Sequence, residues 1–275
     1  MPKMLPTFPQ LPTATSLDEV IEAIASIIDW SIRASSRLGY FAALYKRITI
    51  AVDTAIEHGA FEDGSRMERF DVAFANRYFA ALNGHFHPDE YERSTYSWQV
   101  TFDAAARPEP IIVQHMLGGV NAHIDLDLGI AAQSISPGAQ LPALREDFNR
   151  INAVLASQVN GVVEDINELS PVLADLYAVL MKNEIHLINE ALKAYRDSAW
   201  RFASELARQP SFLHPGTIWT RDLKVAAQGA LIYNAPEPIG AIVSAIAARE
   251  SRDIVKNIKV LDEIASTPAP IKTTM

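Results

Sequence analysis

The sequence predicts an all-α fold, a single-domain bundle of about 8–11 helices with no sheet. Three observations lead there. Apolar residues recur at spacings of three and four along most of the chain, which marks one buried face per helix. Helix-start signals, a Ser followed three residues later by Glu, precede two of these runs. Finally, only short pieces such as Ser97–Phe102 alternate as a strand would, and one such piece cannot make a sheet.

The elements follow in order. Residues 1–15 are broken by prolines and lack the continuous apolar core of a signal peptide, so they read as an extended arm lying on the domain. Ser16 and Glu19 form a capping box for a first helix over Leu17–Arg33, with Val20, Ile24, Ile27 and Ile28 on one face. A second helix, Tyr40–His58, stops at Gly59, and a second box at Ser65 and Glu68 starts a third that runs to Leu82 and is apolar almost all round. After a loop over 83–89, Glu90–Ala106 reads as the fourth. Leu155, Val159, Val162, Ile166 and Leu169 mark one long helix, and Ile185 through Leu206 another, with a start signal at Ser170–Pro171 between them. Shorter helices are expected over Thr217–Leu231, Pro238–Ala248 and Ser251–Ser266. The domain thus covers 16–266, and 267–275 is a loose tail.

Composition narrows the function classes. A chain of 275 residues with 49% hydrophobic and 21% charged residues is ordinary globular stock and needs no disulfide or metal to hold it together. The net charge of −9, without a Lys/Arg-rich run, argues against nucleic acid. Zero cysteines remove disulfides, thiolate zinc sites and thiol nucleophiles, and leave His, Asp and Glu as metal ligands. The longest apolar run, Ile239–Ala248, is half of the roughly 20 residues needed to span a bilayer, so no membrane span is expected. The expected location is cytoplasmic, and the expected assembly is a homodimer, the commonest closed form.

Dinucleotide, P-loop, zincin and di-iron signatures are absent. The chemically loaded stretch is QHMLGGVNAHIDLDLG, residues 114–129, where His115, Asn121, His123, Asp125 and Asp127 stand among apolar residues. On a helix His123 and Asp127 face the same way, four residues apart, and can meet one metal ion or one substrate. His115 lies about 80° round the helix from His123 and joins them only if the helix bends, for which Gly118 and Gly119 offer the freedom. Asp71, mid-way along the apolar third helix, needs a partner because burying a lone carboxylate costs several kcal/mol. His186 with Glu190 forms another i, i+4 pair, Arg196 and Trp200 are spaced to stack, with Trp200 a pocket-lining candidate, and His85 and His87 belong to a solvated loop. For each of these residues a purely structural role stands beside the functional one.

Three segments resemble a bacterial family known only as domain of unknown function 5995. They are GYFAALYKRIT (39–49) with GAFEDGSRMERFDVAFANRYFAAL (59–82), Trp98 with Phe102, and HMLGGVNAHIDLDLG (115–129), and the resemblance covers about residues 17–208. It implies an all-helical fold with Asp71, Asn76, Arg77, His115, Asn121, His123 and Asp127 at the family's characteristic polar positions, and it implies no reaction. The sequence departs from the family pattern at Gly118, where a larger apolar residue is usual, and at Asp125, where asparagine is common.

Three functional readings follow. The first is an enzyme acting on a small molecule in a pocket between helices, with His123, Asp127, Asp71 and Asn121 as its catalytic groups and Arg77, Asn76 and Trp200 as substrate-binding groups. Its most concrete form is metal-assisted hydrolysis, with His115, His123 and Asp127 holding a divalent Zn, Mn or Fe ion. The second is a metal-independent enzyme that cyclises or rearranges a hydrophobic metabolite in an apolar cavity, a form favoured by a dry His123. The third is a non-enzymatic binding or scaffold protein whose polar cluster only locks the core.

Overall fold

The computed structural model describes residues 6–170 and 184–266; within the helices, the side chains of 159–168, 184–188 and 264 lie outside that description. The described residues are helical and contain no strand. Ser16 accepts the Glu19 amide at 3.3 Å and Glu19 reaches back to the amide and hydroxyl of Thr15 at 2.6 and 2.9 Å, so the capping box starts α1 (Leu17–Ala34). Next come α2 (Leu38–Glu57) and α3 (Gly64–Phe86). The cap of α3 is Asp63, which accepts the Arg66 amide at 2.9 Å, and not Ser65 as the sequence suggested.

Two boundaries differ from expectation for stated reasons. α3 continues four residues past Leu82, because Asn83 finds partners in the backbone of Leu11 and Gly84 lets the backbone of Glu92 pass directly against the helix. His85 is therefore in the last turn of α3 and His87 at its end, not in a loop. α4 is shorter than expected, Tyr96–Ala105, and includes the alternating piece Ser97–Phe102. Its start is fixed from outside: the carboxylate of Asp222 accepts the amides of Tyr96 and Ser97 at 2.7 and 2.9 Å, satisfying two first-turn donors that no local side chain caps.

The remaining elements are α5 (Ile112–Ala122), a π-helical turn (His123–Asp127), α6 (Leu128–Ile135), α7 (Arg145–Leu169), α8 (Glu184–Arg208), α9 (His214–Tyr233), α10 (Ile239–Ala247) and α11 (Ile254–Ala265). The start signal at Pro171 and the tail 267–275 lie outside the described residues. α2 packs against α1, α5, α7 and α11, while α6 packs against α3 and α8, and α9 against α4 and α5. One large core joins most of these layers, with Trp98, Tyr78, Phe79 and Phe148 among its fully buried side chains, while Val225 of α9 packs in a smaller cluster with Leu126, Phe202 and Leu206. The arm 6–15 lies on α3, where Asn76 and Asn83 each exchange two hydrogen bonds with its backbone, at Ala14 and at Leu11. No helix among the described residues is long and apolar enough to cross a membrane.

Candidate functional site

Helices α5 and α6 run on as one rod interrupted at its middle by the π turn, in which the Leu128 amide bonds the carbonyl of His123 five residues back. π turns of this kind recur at functional sites because the extra residue re-aims side chains without ending the helix. The irregularity falls on His123–Asp127 and not on the glycines. Gly118 and Gly119 serve contact instead: a Cβ at Gly118 would collide with Tyr233, and one at Gly119 with the Phe41 ring.

The π turn presents His123 to a cavity of about 300 Å³, at the small end of ligand-pocket sizes, that lies between α2, α3, α5, α7 and α8. Its wall is almost wholly apolar, with Phe41, Leu44, Phe74, Met116 and Ile124 prominent. Five polar side chains interrupt it: Tyr45, Asp71, His123, Gln158 and Arg196. Gln158 bonds Arg47 and Ser157, and Arg196 donates to the Phe148 carbonyl at 2.7 Å. The Tyr45 hydroxyl, Asp71 Oδ2 and both ring nitrogens of His123 are buried and have no hydrogen-bond partner among the described residues. Leaving such atoms unpaired costs about 1–3 kcal/mol apiece.

Position along the helices sets the geometry. The His123 ring lies flat on Phe74, with centroids 3.5 Å apart and planes 8° from parallel, and Tyr45 stands edge-on to it at 4.7 Å. Asp71 precedes Phe74 by three residues on α3 and so shares its face about one turn earlier. Behind the imidazole, Asp127 Oδ2 lies 3.5 Å from Nδ1, long for a hydrogen bond. Asp127 is itself held by Trp98 Nε1 at 2.8 Å and Arg77 Nε at 2.6 Å. With Nδ1 turned to the carboxylate, Nε2 is the nitrogen left for the cavity.

Burial dominates the electrostatics. It pushes the Asp71 carboxyl up to about 7, against the pull of Arg196 and with help from the charge of Asp53. Burial also lowers the His123 pKa, outweighing the attraction of Asp127, so the imidazole is neutral near pH 7. At Asp127 burial pushes upward, but Arg77, then His123 and Trp98, outweigh it and keep the carboxyl below its ordinary range. The Tyr45 phenol is driven up by burial and by Asp71. Near neutrality the cavity therefore faces a ligand with a neutral imidazole, a phenol and a carboxyl that is protonated in a large fraction of molecules.

The structure gathers some sequence candidates and disperses others. His123, Asp127 and Asp71 belong to this site, with Arg77 behind Asp127. His115 does not: it lies between Tyr40 and Tyr233, beyond Phe41, where burial and Arg37 lower its pKa to about 3. The set His115, His123 and Asp127 is thus not assembled, and no group of three His, Asp or Glu among the described residues has metal-ligating geometry. Asn121 donates to the Val225 carbonyl at 2.9 Å and ties α5 to α9, while Asp125 pairs with Arg221. Asn76 clamps the arm. Arg196 stacks on Phe148, not on Trp200, which instead takes Arg145 and packs beside Phe148, away from the cavity wall. The side chain of His186 lies outside the described residues. Tyr45 and Arg196 were not read as site residues; the only sequence signal for Tyr45 was a phenol directly after the apolar segment Phe41–Leu44 in the first half of α2.

A family model described as a family of unknown function, DUF5995, matches residues 17–235. Neither a curated protein nor a solved structure matches the chain.

Proposed function

We propose, for a chain that belongs to the DUF5995 family of unknown function, a metal-independent enzyme that moves a proton on a hydrophobic small molecule held between helices. One observation carries the reading: Tyr45 Oη, Asp71 Oδ2 and His123 Nε2, three buried proton-transfer atoms without a hydrogen-bond partner among the described residues, belong to side chains that line a single apolar cavity. Unpaired polar atoms in a dry wall lower stability, and such groups concentrate where a ligand completes their hydrogen bonds. His123 is the base, held and electrostatically supported by Asp127 in the manner of a carboxylate–imidazole pair. Asp71 is the acid, since a carboxyl with a pKa near the working pH both donates and recovers a proton. The apolar wall selects the substrate by burying it.

The test has two arms. Apolar compounds of metabolite size are screened by thermal shift against the wild type and against Val120→Trp, which fills the cavity from α5; true ligands stabilise only the former. Each hit is then followed by mass spectrometry and NMR for conversion, expected with the wild type and lost in His123→Gln. Hits that bind the filled variant equally well, or conversion that persists in His123→Gln, overturn the reading. Binding with no conversion by the wild type supports the alternative of a carrier for apolar molecules, which the near-absence of polar lining favours.

A further inference from the structure

The three unpaired groups do not share one chemistry. Tyr45 and Asp71 are O–H donors that project from adjacent helices, α2 and α3, whereas His123 on the π turn offers a lone pair. Among the described residues of the wall no side chain accepts from those two O–H groups: most neighbours are apolar, and Gln158 has its own partners. A ligand that satisfies both donors must carry an oxygen acceptor, and the rest of it must be apolar. Among the described residues the wall holds one cation, Arg196, buried with one guanidinium arm on the Phe148 carbonyl, its plane on the Phe148 ring and its Nε unpaired.

We infer that the substrate class is an apolar molecule with one carbonyl group bearing an adjacent C–H, and that the reaction is its enolisation and isomerisation, with Tyr45 and Asp71 as the donor pair on the carbonyl oxygen. The inference rests on the proton-transfer reading above and specifies it. His123 Nε2 takes the proton from the carbon next to the carbonyl, the C–H electron pair becomes the enolate C=C, and the carbonyl π pair moves onto oxygen. Two O–H bonds hold that oxygen, a phenol and a neutral carboxylic acid being the donor types that stabilise an enolate in a dry cavity. The imidazolium, facing Asp127, then returns its proton to the same carbon or to a conjugated one, so atoms and electrons balance without an oxidant or a cofactor. Asp71 on α3 and His123 on the π turn line the cavity from different elements, so that one ligand can be reached from two sides.

The experiment uses 4-nitrophenol, whose phenolate imitates an enolate, and 4-nitrotoluene, its neutral shape analogue. Binding is measured by fluorescence quenching and by absorbance, with folding checked by circular dichroism. The wild type is expected to prefer the phenol by at least about tenfold and to show the phenolate band at a pH where free phenol is neutral. Tyr45→Phe and Asp71→Asn should each reduce that preference about fivefold or more while binding the toluene normally. In heavy water the wild type should speed exchange of the α-protons of acetophenone, with a loss of about 100-fold in each donor variant and complete loss in His123→Gln. Equal binding of both probes, insensitive to Tyr45 and Asp71, overturns the carbonyl assignment and leaves the apolar proton-transfer site standing. Failure of both probes to bind overturns the site and the inference with it.

Discussion

Asp127 Oδ2 faces Nδ1 of His123 across 3.5 Å while the same oxygen accepts the indole N–H of Trp98 at 2.8 Å, so one buried carboxylate orients the imidazole from its far side. Arg77 fixes the other oxygen at 2.6 Å, and its side chain, 32% exposed, is the bridge from this core pair to solvent. His123 is thereby placed as the Nδ1–H tautomer with Nε2 free, whereas His115, eight residues earlier, has no carboxylate behind it.

Removal of this carboxylate gives the first prediction. Asp127→Ala strands Arg77 and the Trp98 N–H, and breaking a buried ion pair typically costs 3–5 kcal/mol. Because Arg77 can turn to water, the lower end, about 3 kcal/mol in urea unfolding, is expected. Histidine-selective ¹⁵N NMR should show the Nδ1–H tautomer of His123 in the wild type and a mixture in Asp127→Asn. A single unchanged tautomer in Asp127→Asn would mean that the stacking on Phe74, not Asp127, orients the ring.

The two glycines of α5 predict different outcomes for the same change. Gly119→Ala pushes on Phe41, which lines the cavity, and Gly118→Ala pushes on Tyr233, which does not. Overpacking of this kind costs about 1–3 kcal/mol, so both variants should melt earlier. Only Gly119→Ala should also change the affinity of a cavity ligand, as measured by titration of the two proteins side by side.

The arm is held by side chains of α3, and each has a cost that can be measured. Asn83→Ala leaves the amide and carbonyl of Leu11 unpaired in a buried place, for a loss of about 2 kcal/mol. Asn76→Ala does the same less severely at Ala14, which is nearer solvent. Limited proteolysis should cut within residues 6–15 in Asn83→Ala well before the wild type. Unchanged cleavage would show that Phe8, stacked on Phe86 at 4.2 Å, suffices to anchor the arm.

These relationships explain what a linear reading caught and missed. Helix faces, the capping box at Ser16 and the density of polar groups in 114–129 are local in sequence, so periodicity and spacing expose them. The cap of α4 by Asp222 comes from more than a hundred residues away, and no local signal foretells it. The same holds within the site. His123–Asp127 is an i, i+4 pair and was visible, but Asp71, Tyr45 and His123 share one cavity wall only because α2, α3 and the π turn converge. His115 was drawn into the cluster by proximity in sequence, and the Phe41 ring, seated over Gly119, stands between it and the cavity. Arg77 and Asn76 are adjacent residues with opposite fates, since neighbouring positions on a helix point about 100° apart.

Asp71 predicts a pH dependence opposite in sign to ordinary acid denaturation. Its carboxyl faces Arg196 of α8, Asp53 and Tyr45 of α2, and its folded pKa of about 7 stands above the unfolded 3.8. A raised pKa means that the folded state binds the proton more tightly, so this contribution is complete below about 3.8 and is lost as pH rises through about 7. The displacement corresponds to at most roughly 4 kcal/mol. His123 and Asp127, whose pKa values are lowered, act the other way: their contributions are present above their ordinary values and vanish as pH falls. His115, its pKa lowered to about 3, and His123 gain stability over the same window, so the Asp71 contribution is read as a difference: in urea unfolding from pH 5 to pH 8 the wild type should lose stability relative to Asp71→Asn. The same variant should lose turnover, since an amide N–H is a weaker donor to a developing oxyanion than a carboxylic acid, so that a more stable protein is a less active one. A stability difference between the wild type and Asp71→Asn that is level from pH 5 to pH 8 would mean that the Asp71 pKa is not raised in the fold, and would remove it as the acid.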